Sequence, residues 1–119
     1  MSNQYLGKKG EEIAKRYLQS KGYKILFKNF RSRLGEIDII GQDKDTLVFV
    51  EVKTRFSKEF GEPEEAVTPW KIKSIIRTGE YFKMLHPELP ESLRIDVVAI
   101  SLSPGGGVEE IKLIKNATG

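Results

Sequence analysis

The sequence predicts an α/β sandwich, a central mixed β-sheet flanked by helices, with its elements in the order α-β-β-β-α-β-β. Three observations lead there. Apolar residues recur at helical spacing in two segments, one early in the chain and one after its midpoint. Around them run short stretches rich in Val, Ile and Phe, bounded by Gly, Asp and Pro. The chain has 119 residues, 39% hydrophobic and 31% charged, which suits a single soluble domain over residues 1–119 with a core of its own.

The first helix is GEEIAKRYLQSKG, residues 10–22, with Gly22 as its terminator. At about 100° per residue, Ile13, Ala14, Tyr17 and Leu18 share one face. Glu11 falls at the edge of that face and Glu12 points away from it. YKILFKNF, 23–30, is a strand of weak alternation, and RSRLG, 31–35, a basic connection closed by glycine. EIDIIG and TLVFVEVKT, joined by the polar GQDKD, read as a hairpin. FSKEFGEPEEAV, 56–67, is loop-like. Thr68-Pro69 then supplies an N-cap followed by proline at the first helical position. The second helix runs to about Leu85, with Ile72, Ile75, Ile76, Gly79 and Phe82 expected on its buried side. LRIDVVAIS is a strand, SPGGG a turn, and VEEIKLIK a final edge strand.

Composition removes several classes of chemistry. With no cysteine there is no disulfide framework, thiol nucleophile or thiolate zinc site. His86 is the one histidine, and it lies in LHPELP, a helix exit, where a surface role is the ordinary reading. No apolar run approaches the roughly 20 residues of a membrane helix, and MSNQYLGKKGEE lacks a signal-peptide core. A cytoplasmic protein without membrane association is the default. The net charge of +3 is compatible with nucleic acid without arguing for it.

The most apolar strands carry charges. Along 47–53, Leu47, Phe49, Glu51 and Lys53 share one face. Asp38 is expected to share its face with Glu36 and Ile40. In a hairpin centred on Lys44-Asp45, Asp38 stands opposite Glu51 and Glu36 opposite Lys53. Opposed carboxylates repel, and a divalent cation between them reverses the sign. Oxygen ligands of this kind suit Mg²⁺ or Mn²⁺. Lys53 would then orient or help deprotonate an attacking water, or neutralise a phosphoryl group, and Glu11 could reach in from the helix. The ordinary alternative is a Glu36–Lys53 ion pair, with Asp38 capping a turn or bound to Arg31 or Arg33.

Gly7-x-x-Gly10-Glu11, Gly22-Tyr23, Asn29-x-Arg31, Gly35-Glu36-Ile37-Asp38, the FVEVKTR block over 49–55 and Asp96-Val97-Val98 together resemble the bacterial YraN family over nearly the whole chain. That pattern is in turn similar to the PD-(D/E)xK nuclease superfamily, most closely to archaeal Holliday-junction resolvases. Ile37 stands where the superfamily's name places proline. The resemblance implies a restriction-endonuclease-like three-layer sandwich and a metal-dependent site made by Glu11, Asp38, Glu51 and Lys53. It also implies the backbone carbonyl of Val52 as a metal ligand and hydrolysis of DNA phosphodiester bonds, on branched or damaged structures. The same fold hosts members that bind without cutting, so a nucleic-acid-binding or interaction platform is the alternative.

Two surfaces could meet nucleic acid, which is expected to be DNA, with RNA as the alternative. Arg31, Arg33, Lys53 and Arg55 would flank the carboxylates. On the second helix Trp70, Lys73, Arg77 and Tyr81 recur on one side, a basic stripe with aromatic ends. Its alternatives are a solvated helix face or a homodimer contact.

Overall fold

A sheet this apolar on both faces needs cover on both, and two helices supply it. In the computed structural model, which describes residues 3–56 and 67–118, the order is α1 (Asn3–Ser20), β1 (Lys24–Ser32), β2 (Gly35–Asp43), β3 (Thr46–Phe56), α2 (Pro69–Leu85), β4 (Ser92–Leu102) and β5 (Val108–Ile114). The strands lie in sequence order across one sheet. β3 and β4 are parallel, bridged by α2, and every other neighbouring pair is antiparallel. This is the α-β-β-β-α-β-β mixed-sheet α/β fold that the sequence predicts.

Alternation along β3 divides the core. Val48 and Val50 join Ala14 and Leu18 of α1, while Leu47 and Phe49 join Ile75 and Phe82 of α2. The helices therefore lie on opposite faces, making three layers. α1 begins earlier than its periodicity suggests, at Asn3. It ends where the Tyr23 N–H reaches the Leu18 carbonyl and the Gly22 N–H that of Gln19, with Gly22 at φ 93°. α1 also sits tight on β3: a Cβ on Gly10 would collide with the Thr54 hydroxyl.

α2 starts at the expected cap, the Thr68 hydroxyl accepting from Lys71 N–H at 3.2 Å. Its buried residues are Ile75, Thr78, Gly79 and Phe82, and Ile76 is exposed instead. Thr78 can be buried because its hydroxyl donates back to the Ser74 carbonyl at 2.8 Å. His86 caps the helix with its ring 4.4 Å from Phe82, half-buried rather than on the surface. The loop read from 56–67 falls, but for its ends, outside the described residues.

At the far end of the sheet a buried ionic network replaces apolar packing. Asp96, wholly inaccessible, accepts from Tyr23 Oη (2.7 Å), Arg94 Nε (2.8 Å) and Asn116 N–H (3.0 Å). Arg94 also bonds Asp43 at 2.8 Å, which holds the Asp43 carboxyl below its usual range. Every carboxylate oxygen of Asp96 is thus answered, the condition for burying a charge.

Candidate functional site

The site begins where regular alternation fails. Lys28 pairs with Ile39 and Phe30 with Ile37, which leaves Asn29 facing Asp38. Asn29 has φ 55°, a left-handed conformation that asparagine tolerates. It lets Phe27 and Phe30, three residues apart, both set their rings against Phe82. On β2 the same happens: Ile37 and Ile40 join one cluster under α2, while Ile39 faces α1. Asp38 therefore does not sit in a regular run with Glu36 and Ile40, as strict alternation would have it.

The hairpin register is the expected one where it is paired, from Asp43↔Thr46 to Ile39↔Val50. There the ladder stops. In place of the next backbone bond, Asp38 Oδ2 accepts from the Val52 N–H at 2.8 Å. The two strands part around the Asp38 side chain, so Glu36 does not oppose Lys53. Glu36 instead pairs across to Arg31 at 3.5 Å. Neither Arg31 nor Arg33 is bound to Asp38 by any ion pair among the described residues.

Glu51 arrives from β3 beside Asp38 and is 4% exposed. Lys53 Nζ stands 3.8 Å from its Oε2, and Lys71 Nζ of α2 3.9 Å from the same atom. Its Oε1 is buried with no hydrogen-bond donor among the described residues. Burial, then the Asp38 charge, pushes the Glu51 carboxyl up to about 7, against the pull of the two lysines. Burial raises Asp38 as well, opposed first by its bond from Val52. The two carboxyls come within reach of a shared proton.

Glu11 lies at the rim. Its carboxyl is raised by burial and by Asp38, against the opposing pull of the nearby Asn29 side chain. Among the described residues no group of three or more Asp, Glu or His converges as metal ligands; two carboxylates meet, and Glu11 stands beside them. Glu12 pairs outward with Arg16 and Lys28. Arg55 lies on β3 two residues beyond Lys53, half-buried.

Lys71 and Asn29 were not candidates on sequence. Lys71 carried a usable signal: it precedes Ile75, Thr78 and Phe82 on the buried stripe of α2, a position from which a lysine must reach a partner. Asn29 gave none, since one asparagine in a weak strand does not announce a left-handed residue.

Trp70, Lys73 and Arg77 lie exposed along α2, and the β1–β2 turn packs beside them. Ser74 Oγ donates to the Leu34 carbonyl at 3.2 Å, and Gly35 at φ 148° fits against the Ser74 and Thr78 hydroxyls where any Cβ would clash. Leu34 walls two adjoining grooves. One, of about 420 Å³, is lined by Arg31, Arg33 and Tyr81; the other, of about 270 Å³, by Trp70, Lys73 and Arg77.

A mixed five-stranded sheet between two helices, with a buried acid pair in a parted hairpin and two lysines on one oxygen, defines a paired-carboxylate α/β protein. The chain belongs to the UPF0102 family, the YraN family of the sequence reading: the profile described as "Uncharacterised protein family UPF0102" matches residues 10–100. It is similar to a UPF0102 protein of Caldicellulosiruptor saccharolyticus, 45% identical over 98% of this chain and 99% of the relative. A UPF0102 protein of Syntrophomonas wolfei is 47% identical, covering 87% of this chain and 90% of its own. One from Syntrophus aciditrophicus is 47% identical over 93% and 86%. Among the described residues no helix is long and apolar enough to cross a membrane.

Proposed function

We propose that the protein is a metal-dependent endonuclease that hydrolyses phosphodiester bonds in nucleic acid, DNA in the first instance. One observation carries the reading: the buried Asp38–Glu51 pair, in which one Glu51 oxygen has no donor among the described residues and the other has two lysines near it. A purely structural acid pair of this kind costs stability when both groups ionise, because each buried carboxylate disfavours the other's charge and the two lysines offset this only in part. The hard oxygen donors suit Mg²⁺ or Mn²⁺, with Asp38, Glu51 and the Val52 carbonyl as holders and Glu11 assisting from the rim. When bound, such a metal supplies Lewis-acid stabilisation of phosphoryl charge and a more acidic water.

The chain's own part follows from positions. The Val52 N–H fixes the Asp38 carboxylate, so its second oxygen is aimed rather than free to rotate. Lys53 projects beside Glu51 and is placed to hold or take a proton from water, or to meet a phosphate oxygen. Lys71 offers a second cation at the same oxygen.

The test is a cleavage screen over duplex, single-stranded, flapped and four-way DNA with Mg²⁺ and Mn²⁺, run beside melting curves. Wild type should cut at least one form, and Lys53→Ala should lose cleavage while keeping affinity within a few-fold. Either metal should raise the melting temperature, and Asp38→Asn should remove most of that shift. An equal shift in Asp38→Asn would place the metal elsewhere. Binding of several forms with cleavage of none would replace this reading by a binding platform on the same fold.

A further inference from the structure

We infer that the two grooves divided by Leu34 form one trough for an unpaired nucleic-acid strand, and that the nucleic acid taken by this protein carries a single-stranded arm. The first half stands alone; that the arm leads to a cut rests on the nuclease reading above.

The trough combines two kinds of side chain that a folded protein ordinarily keeps apart or covers. Trp70 is 76% exposed, Leu34 48% and Tyr81 39%. Between and beside them stand Arg33, Lys73 and Arg77, with no ion-pair partner among the described residues, and Arg31, whose pair to Glu36 is loose and exposed. Glu80, the acid of α2, lines a different groove with Ile76 and Leu93. The trough floor is fixed rather than mobile, since the Leu34 carbonyl is held by Ser74 and Gly35 is wedged against α2.

Cations alone would suit any phosphate backbone. The aromatic faces choose among substrates. In a duplex the base faces are stacked on one another, so an exposed indole has nothing to stack on; in an unpaired strand each base offers a face, worth about 1–3 kcal/mol. From Trp70 to Tyr81 is eleven residues of helix, about 16 Å. At roughly 3.4 Å per nucleotide that span takes about four or five stacked bases. Trp70 at one end of the trough and Lys71, which reaches Glu51, both belong to the first turn of α2, so this end of the trough is the one nearer the acid pair in the chain.

Trp70 is the one tryptophan in the chain, so its fluorescence reports this surface alone. The measurement is a titration with octathymidylate and, separately, with a blunt duplex, at fixed salt and without metal; octauridylate run beside them tells a DNA arm from an RNA arm. Octathymidylate or octauridylate should quench Trp70 saturably, the duplex should not at matched concentration, and Arg77→Ala should weaken the quenching about tenfold. Equal quenching by strand and duplex, or none by either strand, overturns the inference. So does a Trp70 signal that changes with protein concentration alone and ignores nucleic acid, which would put a second copy of the chain on this face. A protein that is quenched yet cuts nothing keeps the trough and loses the nuclease reading. One that cuts while Trp70 ignores both oligonucleotides does the reverse.

Discussion

Glu51 holds the sharpest electrostatic tension in the molecule. It is buried, it faces Asp38, and two lysines at 3.8 and 3.9 Å only partly compensate. Its carboxyl titrates near 7 in the folded protein, against an ordinary value of about 4.3 when unfolded. The folded state thus binds the proton more tightly, and stability from this group is complete below the unfolded value. It is lost as pH rises through about 7. Asp38 and Glu11, both raised chiefly by burial, act in the same direction. Metal-free wild type should therefore melt higher at mildly acidic pH than above pH 7. The group's full effect is on the order of a few kcal/mol. Glu51→Gln, which cannot ionise, should flatten that dependence. Parallel melting profiles for the two proteins would mean that Glu51 is not held in this state.

At the scale of elements, what the sequence disclosed and what it hid have separate physical causes. Thr68-Pro69 and Gly22 were legible because caps act through local backbone geometry. The hairpin was legible to the point where its ladder stops at Ile39↔Val50, because period-two patterning fixes register. Beyond that point the sequence misled: a left-handed Asn29 shifts which side chains face α2, and Glu36 goes to Arg31 rather than Lys53. Lys71 was hidden for a different reason. Its partner is distant in sequence, and only docking of α2 brings them together. That docking depends on Gly79, whose missing Cβ leaves room for the Phe49 ring; a Cβ there would stand 2.5 Å from it. Gly7 of α1 has nothing within 4 Å. Helix propensity alone favours Gly→Ala by about 1 kcal/mol at either place. Gly7→Ala should follow propensity and raise the melting temperature. Gly79→Ala should lower it, since overpacking of this kind costs typically 1–3 kcal/mol. A gain in both would show that α2 has slack against the sheet.

For the whole molecule the question is where a modest net charge of +3 is concentrated. One end of the sheet is internally neutralised: Arg94 and Lys115 answer Asp43, and Arg94 answers Asp96. The other end gathers Arg33, Lys73 and Arg77 on the turn and α2, with no acids paired to them among the described residues. A field shaped in this way orients a polyanion before any contact forms. It also predicts an unequal salt dependence among lysines and arginines that look alike in composition. Binding of a flapped DNA should weaken with salt, and each phosphate contact removed should reduce the slope of log K against log salt by about 0.7–0.9. Arg33→Ala and Arg77→Ala should each flatten it by about that much. Lys24, exposed at the opposite end of the sheet, lies across the ladder from Leu47, six residues or about 20 Å along β3 from Lys53. Lys24→Ala should leave the slope unchanged. If Lys24→Ala and Arg77→Ala flatten it equally, attraction is diffuse over the whole surface and the protein has no directed nucleic-acid face.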